Sequence, residues 1–223
     1  MTDRPILFSA EMVRAILDGR KTQTRRVMKP QPSTVDDAGR WYRMKSGGES
    51  LMTSAYPCPY GAPGDTLWVR EAFCAHWGTP PSDAPQSYRI VTGDELPPIE
   101  QENGDLYQPV SSDVMTVWYG AEGDKPFHKK WRPSIHMPRW ASRITLRITD
   151  IRVERLQDIS EDDAKAEGCE SPLTGAEAPA AGPGVFLADE RTSFAILWNK
   201  INGAGAWGAN PWVWVISFER VKP

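Results

Sequence analysis

The 223 residues contain no apolar run near the ~18–20 needed to cross a bilayer as a helix. The opening stretch, MTDRPILFSAEMVRAIL, places Asp3, Glu11 and Arg14 where a signal peptide needs unbroken apolar sequence. A soluble cytoplasmic protein is therefore expected, with no membrane partner. Cysteine is scarce. Cys58, Cys74 and Cys169 are odd in number, widely spaced and without a CxxC pair, which argues against a disulfide framework and a zinc ribbon. His76, His128 and His136 form no HxxxH or HxH pair, so no metal site is expected, and no cofactor. GxGxxG, GxxxxGK[ST] and GxSxG are all missing, which removes most of the case for nucleotide cradles and hydrolase elbows.

What is present is unevenly distributed. The net charge is only −3, yet residues 83–124 hold nine acids against Arg89 alone. Residues 125–155 hold nine Lys and Arg against Asp150 and Glu154, and residues 20–29 add Arg20, Lys21, Arg25, Arg26 and Lys29 without an acid. Two basic segments on a mildly acidic chain suggest a local anionic partner; a solvated charged face is the plain alternative. Ten tryptophans serve either the core or the stacking of bases.

The pattern predicts a helix over 10–18, capped by Ser9 and stopped by Gly19. KTQTRRVM follows as an extended segment with Thr22, Thr24, Arg26 and Met28 on one face and Gln23, Arg25 and Val27 on the other. Residues 29–62 read as irregular. PGDTLWVREAF reads as a turn at Gly64-Asp65 and a strand, and TVWYGAE (116–122) as another. Residues 76–113, with six prolines, read as an insertion or mobile loop. RITLRITDIRVERL (143–156) is the longest strand pattern, with a phase slip at Asp150 of the kind a bulge makes where a sheet curls. Ser160 to Asp163 resembles a capping box for a short helix that Gly168 closes after Glu167. Residues 170–190 read as a flexible second insertion. Thr192 or Ser193 caps a helix ending at Asn202-Gly203, and PWVWVISFERV is a final strand. The class is α+β: a small curled sheet or barrel with short flanking helices and two loop insertions.

ILDGRKTQTRR, PGDTLWVREAF, WRPSIHMPRWASRITLRITDIRVERLQDIS and EDDAKAEG, with the tryptophan-rich last strand, resemble the ASCH family of the PUA-like superfamily. The resemblance covers roughly 5–28, 61–73, 131–168 and 194–219. It implies a single PUA-like domain over 1–223, with insertions at 76–125 and 170–190 that the minimal members lack. Chains of this length look like bacteriophage and prophage members, which would act in the host cytoplasm. The PUA-like fold is mostly an RNA-binding module. A small bacterial member is an amidohydrolase that removes the acetyl group of N4-acetylcytidine, and other members are reported as ribonucleases. The positions matching the amidohydrolase set are Lys21, Thr24 and Glu167.

The residues themselves leave alternatives open. Lys21 and Thr24 lie on opposite faces of an ideal strand, so joint action needs a bend just after Gly19-Arg20. A lysine lowered by burial or by Arg20, Arg25 or Arg26 can take the threonine proton, while Glu167 with a raised pKa protonates the leaving amine. Arg26 or backbone N–H groups beside Thr24 are candidate oxyanion donors. Lys21 and Arg25 can equally be solvated or contact phosphate. Glu71, on the apolar face of its strand, is either paired with Arg26 or Arg143, the favoured reading, or lines a pocket. Arg139, Trp140 and Arg143 suit stacking a base and holding a phosphate, unless Trp140 plugs the core. His136 is a candidate for a base edge. Trp207, in GAGAWGANP, is a candidate pocket cap.

The first expectation is thus binding of RNA or a modified nucleoside, with hydrolysis of an N4-acylated cytidine or related amide as the alternative. A phage accessory protein that engages a host protein through the acidic 83–124 segment is the second alternative.

Overall fold

The computed structural model describes residues 1–35, 41–44, 50–52, 58–79, 88–100, 106–122, 130–170 and 189–221. In chain order come β1 (Asp3–Leu7), α1 (Ala10–Leu17), β2 (Gln23–Val27), β3 (Thr34–Val35), β4 (Trp41–Met44) and β5 (Ser50–Met52). Strands β6 (Thr66–Arg70), β7 (Phe73–Trp77), β8 (Tyr88–Thr92), β9 (Ile99–Glu100), β10 (Leu106–Tyr107) and β11 (Val114–Tyr119) follow. The remainder is β12 (Thr145–Arg155), α2 (Glu161–Ala166), α3 (Glu190–Asn202) and β13 (Trp212–Val221). The class is α+β and strand-rich. Contacts divide the chain into two compact units, one of residues 1–2, 15–66 and 147–220, the other of residues 3–14, 67–146 and 221–223.

In the first unit β12, β13 and β2 lie side by side in that order. β13 faces β2 in an antiparallel register that sets Ile216 opposite Thr24 and Trp214 opposite Arg26. Both faces of β13 are buried: Val213 and Val215 on one, Trp214, Ile216 and Phe218 on the other. The valines join Leu156, Ile159, Ala164, Phe194 and Trp198 in one apolar cluster. The α3 helix starts earlier than expected. Its cap is Asp189, whose Oδ1 accepts the Thr192 N–H at 2.7 Å, rather than Thr192 or Ser193. Aspartate is at least as good an N-cap, and it gives the helix an additional turn. The described residues of 29–62 are not all irregular. They contain the antiparallel order β3-β4-β5, in strands of two to four residues that are too short for alternation to register. Most of the expected second insertion, residues 171–188, lies outside the described residues.

In the second unit β1 lies beside β6, and β7, β11 and β8 form an antiparallel sheet. This corrects the expectation of a loop over 76–113. Tyr88–Thr92 pairs with residues 114–118 of β11, which sets Val91 opposite Met115. Met115, Val117 and Tyr119 point one way, into a core with Phe73, Val91, Leu96, Met137 and Ala141. Prolines and acids flank the strand rather than interrupt it, so regional composition concealed five β-competent residues, YRIVT.

Among the described residues no sheet closes on itself into a barrel. No helix among them is long and apolar enough to cross a membrane.

Candidate active site

Lys21, Glu167 and Arg25 meet in the first unit, and the local sequence dictates how. Gly19, at φ +76°, ends α1, and the Lys21 N–H donates to the Ala15 carbonyl at 3.0 Å. Across the site, α2 is short but well begun. Ser160 Oγ accepts the Asp163 N–H at 3.1 Å, and Glu161, Asp162 and Asp163 complement the positive end of the helix. Glu167 is its C-cap residue, and Gly168, at φ +84°, turns the chain away. Lys21 and Glu167 form an isolated antiparallel bridge, with the Thr22 N–H donating to the Ala166 carbonyl at 2.8 Å.

A carboxylate at a helix C-terminus opposes the macrodipole. Lys21 relieves this cost. Its Nζ donates to Glu167 Oε2 at 2.6 Å and to the Glu167 backbone carbonyl at 2.9 Å. The Lys21 side chain is 0% exposed and that of Glu167 3%. Burial pulls the Lys21 pKa below its ordinary 10.5, the Glu167 charge and hydrogen bond oppose that shift, and Arg26 adds to it. Cys169 is also buried. Burial first, then the Glu167 charge, pushes its thiol up to about 11.

Arg25 is enclosed as well. Its Nε donates to Glu154 Oε1 at 3.1 Å, and its Nη1 to Gln23 Oε1 at 2.7 Å and to Glu167 Oε1 at 3.3 Å. Nη2 donates to Glu154 and, at 3.1 Å, to Asp163 Oδ2. A guanidinium has five N–H groups, and these bonds account for all of them. The expectation that Arg25 holds phosphate is corrected: its charge is met by the protein's own carboxylates.

Thr24 is buried on β2, opposite Ile216. Strand alternation sets it with Arg26 on the face away from Gln23 and Arg25. That face is not electrically remote, because Arg26 senses the Glu167 charge and Lys21 senses that of Arg26.

Gly168 is the most confined point of the site. A Cβ there would stand 3.0 Å from the Ala15 Cβ and 3.2 Å from the Lys21 Cβ, whereas one at Gly19 would meet nothing within 4 Å. Both glycines have positive φ, so each alanine variant is expected to lose about 1–2 kcal/mol from backbone strain. Gly168→Ala is expected to lose more, by pressing on Lys21. Urea denaturation of the two variants checks this, and equal losses would show that Gly168 is only a turn.

The remaining candidates are dispersed. In the second unit Glu71 is 2% exposed and forked by Arg143, with Nε to Oε1 at 3.0 Å and Nη2 to Oε2 at 3.3 Å. Arg143 also pairs with Glu122 and lies 3.9 Å from the centre of the Tyr119 ring. Burial raises the Glu71 pKa while Arg143 holds it down. Of the two partners expected for Glu71, Arg143 is the one it has. The trio Arg139, Trp140 and Arg143 is not assembled for stacking: Trp140 packs against the core of this unit, and Arg143 is taken by acids. Arg139 pairs with Asp3 at 2.7 Å, and His136 is exposed in a short turn. The indole flanked by guanidinium groups is instead Trp68, with Arg70 at 5.3 Å and Arg139 at 5.9 Å. The alternation that set Trp68 and Arg70 on one face of β6 was the available signal.

Arg20 pairs with Asp18 at 2.9 Å and Glu170 at 3.2 Å, in solvent. Arg152 meets Glu154 at 3.0 Å and Asp163 at 2.9 Å, and Arg147 meets Glu219 at 3.3 Å. Arg20, Arg147 and Arg152 of the basic blocks are thus each paired with acids in space. Trp207 does line a cleft, of about 410 Å³, with Gln157, Asp189, Arg191, Thr192 and Ala195. Among the described residues no His, Cys, Asp and Glu group is placed to hold a metal ion. No protein-family model, curated protein or solved structure matches the chain.

Proposed function

We propose that the protein is an amide hydrolase of the ASCH, PUA-like type, acting on an N4-acylated cytidine or a related amide through Lys21, Thr24 and Glu167. The observation that carries this reading is the 2.6 Å hydrogen bond between a lysine and a glutamate that are both withdrawn from water. One proton moving from Nζ to Oε2 converts the ion pair into a neutral amine and a carboxylic acid, and burial of Lys21 favours its neutral form. Neutral Lys21 takes the Thr24 hydroxyl proton as Oγ1 attacks the acyl carbon. Glu167 gives its proton to the leaving exocyclic nitrogen, which departs as the amine of the free base. Water then attacks the Thr24 ester, protons return through the same pair, and the acid product leaves. Arg26, on the Thr24 side of β2, is the side-chain candidate for the oxyanion.

Binding of a nucleoside or RNA without turnover is the second reading. Trp68 beside Arg70 and Arg139 favours it, as a planar ring with cationic neighbours suits a base and a phosphate.

Incubation with N4-acetylcytidine followed by chromatography separates the two. The wild type is expected to release cytidine, and Lys21→Ala, Thr24→Ala and Glu167→Ala to fall by about 10²–10⁴-fold. An inert wild type removes cytidine deacylation from consideration.

A further inference from the structure

We infer that Arg25 is a positioning residue for this site, fixing Glu167 through anchors on Glu154 and Asp163. Its effect on catalysis rests on the hydrolase reading; its effect on Lys21 does not. The Glu167 carboxylate is held at both oxygens, Oε1 by Arg25 Nη1 at 3.3 Å and Oε2 by Lys21 Nζ at 2.6 Å. A carboxylate gripped at one oxygen still rotates about its last torsion. Gripped at both, it presents a single oxygen to the lysine. Arg25 can act in this way because it is itself immobile: Gln23, Glu154 and Asp163 take its other N–H groups. The Phe194 ring lies 5.7 Å from its Cζ. Arg152 braces both anchoring acids, with Nε 3.0 Å from Glu154 Oε2 and Nη2 2.9 Å from both Asp163 oxygens.

The arrangement also sets the charge state of the lysine. Glu167 at the end of α2, Arg26 on β2 and the Cys169 thiol act on Lys21, and Arg25 on β2 contacts the Glu167 carboxylate. Among the described residues, Lys21 and Arg25 share Glu167, and Arg25 and Arg152 share Glu154 and Asp163. Moving a proton from Lys21 to Glu167 leaves the total charge of this network unchanged, so its charges act on the gain or loss of a proton by the Lys21–Glu167 pair as a whole. Arg25 brings a positive charge to the carboxylate that Lys21 bonds. Removing Arg25 should raise the pH at which the pair loses its proton, and removing an acid bonded to Arg25 should lower it.

Three variants test this. Arg25→Lys keeps the charge but cannot bridge four partners; kcat on N4-acetylcytidine is expected to fall about 10²-fold with KM nearly unchanged. Its acid limb in the pH–rate profile should stay in place. Arg25→Gln should move that limb up, and Glu154→Gln should move it down, each by about one pH unit. The same opposite shifts should appear in an NMR titration of the ¹⁵N-labelled Lys21 Nζ without any substrate. Should Arg25→Gln fail to fold, Glu154→Gln and Arg25→Lys carry the test. A wild type inert toward N4-acetylcytidine overturns the catalytic role with the hydrolase reading, and the NMR titration still decides the electrostatic one. Folded Arg25→Lys with wild-type kcat, or Lys21 titrating alike in the folded variants, overturns the inference.

Discussion

Replacing Glu167 by leucine is expected to destabilise the protein by about 3–5 kcal/mol at pH 7. Lys21 would remain enclosed, with the Glu167 position's backbone carbonyl as its acceptor but no carboxylate beside it. Its folded-state pKa, already below 10.5 through burial, would fall further because the opposing Glu167 charge is gone. The folded variant would then hold Lys21 neutral while the unfolded chain keeps it protonated up to about 10.5. In that window the unfolded state binds more protons, so stability rises with pH. The deficit should therefore shrink between pH 7 and pH 10, which denaturant titrations at the two pH values measure directly. Lys21→Met combined with Glu167→Leu should recover much of the loss, since an apolar pair leaves no buried charge without compensation. Equal deficits at both pH values, together with simple additivity of the two substitutions, would mean that the pair is not formed as described.

The second large effect lies in the other unit. Arg143→Met is expected to be about 1 kcal/mol less stable than the wild type at pH 4 and about 4 kcal/mol less stable at pH 8. Glu71 is almost fully enclosed, and burial already raises its pKa above 4.5 against the pull of Arg143. Without the guanidinium the folded-state value rises further, so the folded protein binds a proton that the unfolded chain has released. The stability of that protonated state is fully present below about 4.5 and lost as pH climbs through the folded value. Loss of the cation over the Tyr119 ring should add about 1 kcal/mol that does not depend on pH. A pH-independent deficit would show instead that Glu71 reaches water or another partner once Arg143 is gone.

Much of the local structure was legible because it depends on near neighbours. Ser9, Gly19, Ser160 and Gly168 mark the ends of α1 and α2 through capping and left-handed backbone, which are properties of a few consecutive residues. The long alternation of β12 and β13 was visible for the same reason. The β8 strand was not, because five residues among prolines and acids carry too little pattern, and pairing with β11 outweighs the regional composition. Asp189 escaped notice as the α3 cap because Thr192 and Ser193 also fit the role.

The candidate site divides in a similar way. The sequence by itself determined which residues are candidates for chemistry: Lys21 and Thr24 in the KTQT segment, Glu167 before a chain-reversing glycine, and Glu71 on an apolar strand face with Arg143 as a partner of opposite charge. Only the tertiary structure decided what those groups meet. Arg25 looked like a phosphate ligand until Glu154, Asp163 and Glu167, more than a hundred residues later, closed around it. Trp140 turned inward, and Trp68 took the place between the guanidinium groups. The physical reason is range. Caps, turns and alternation are set by torsions and hydrogen bonds within a few residues, whereas the charge a buried side chain carries depends on which distant acid or base replaces its lost water.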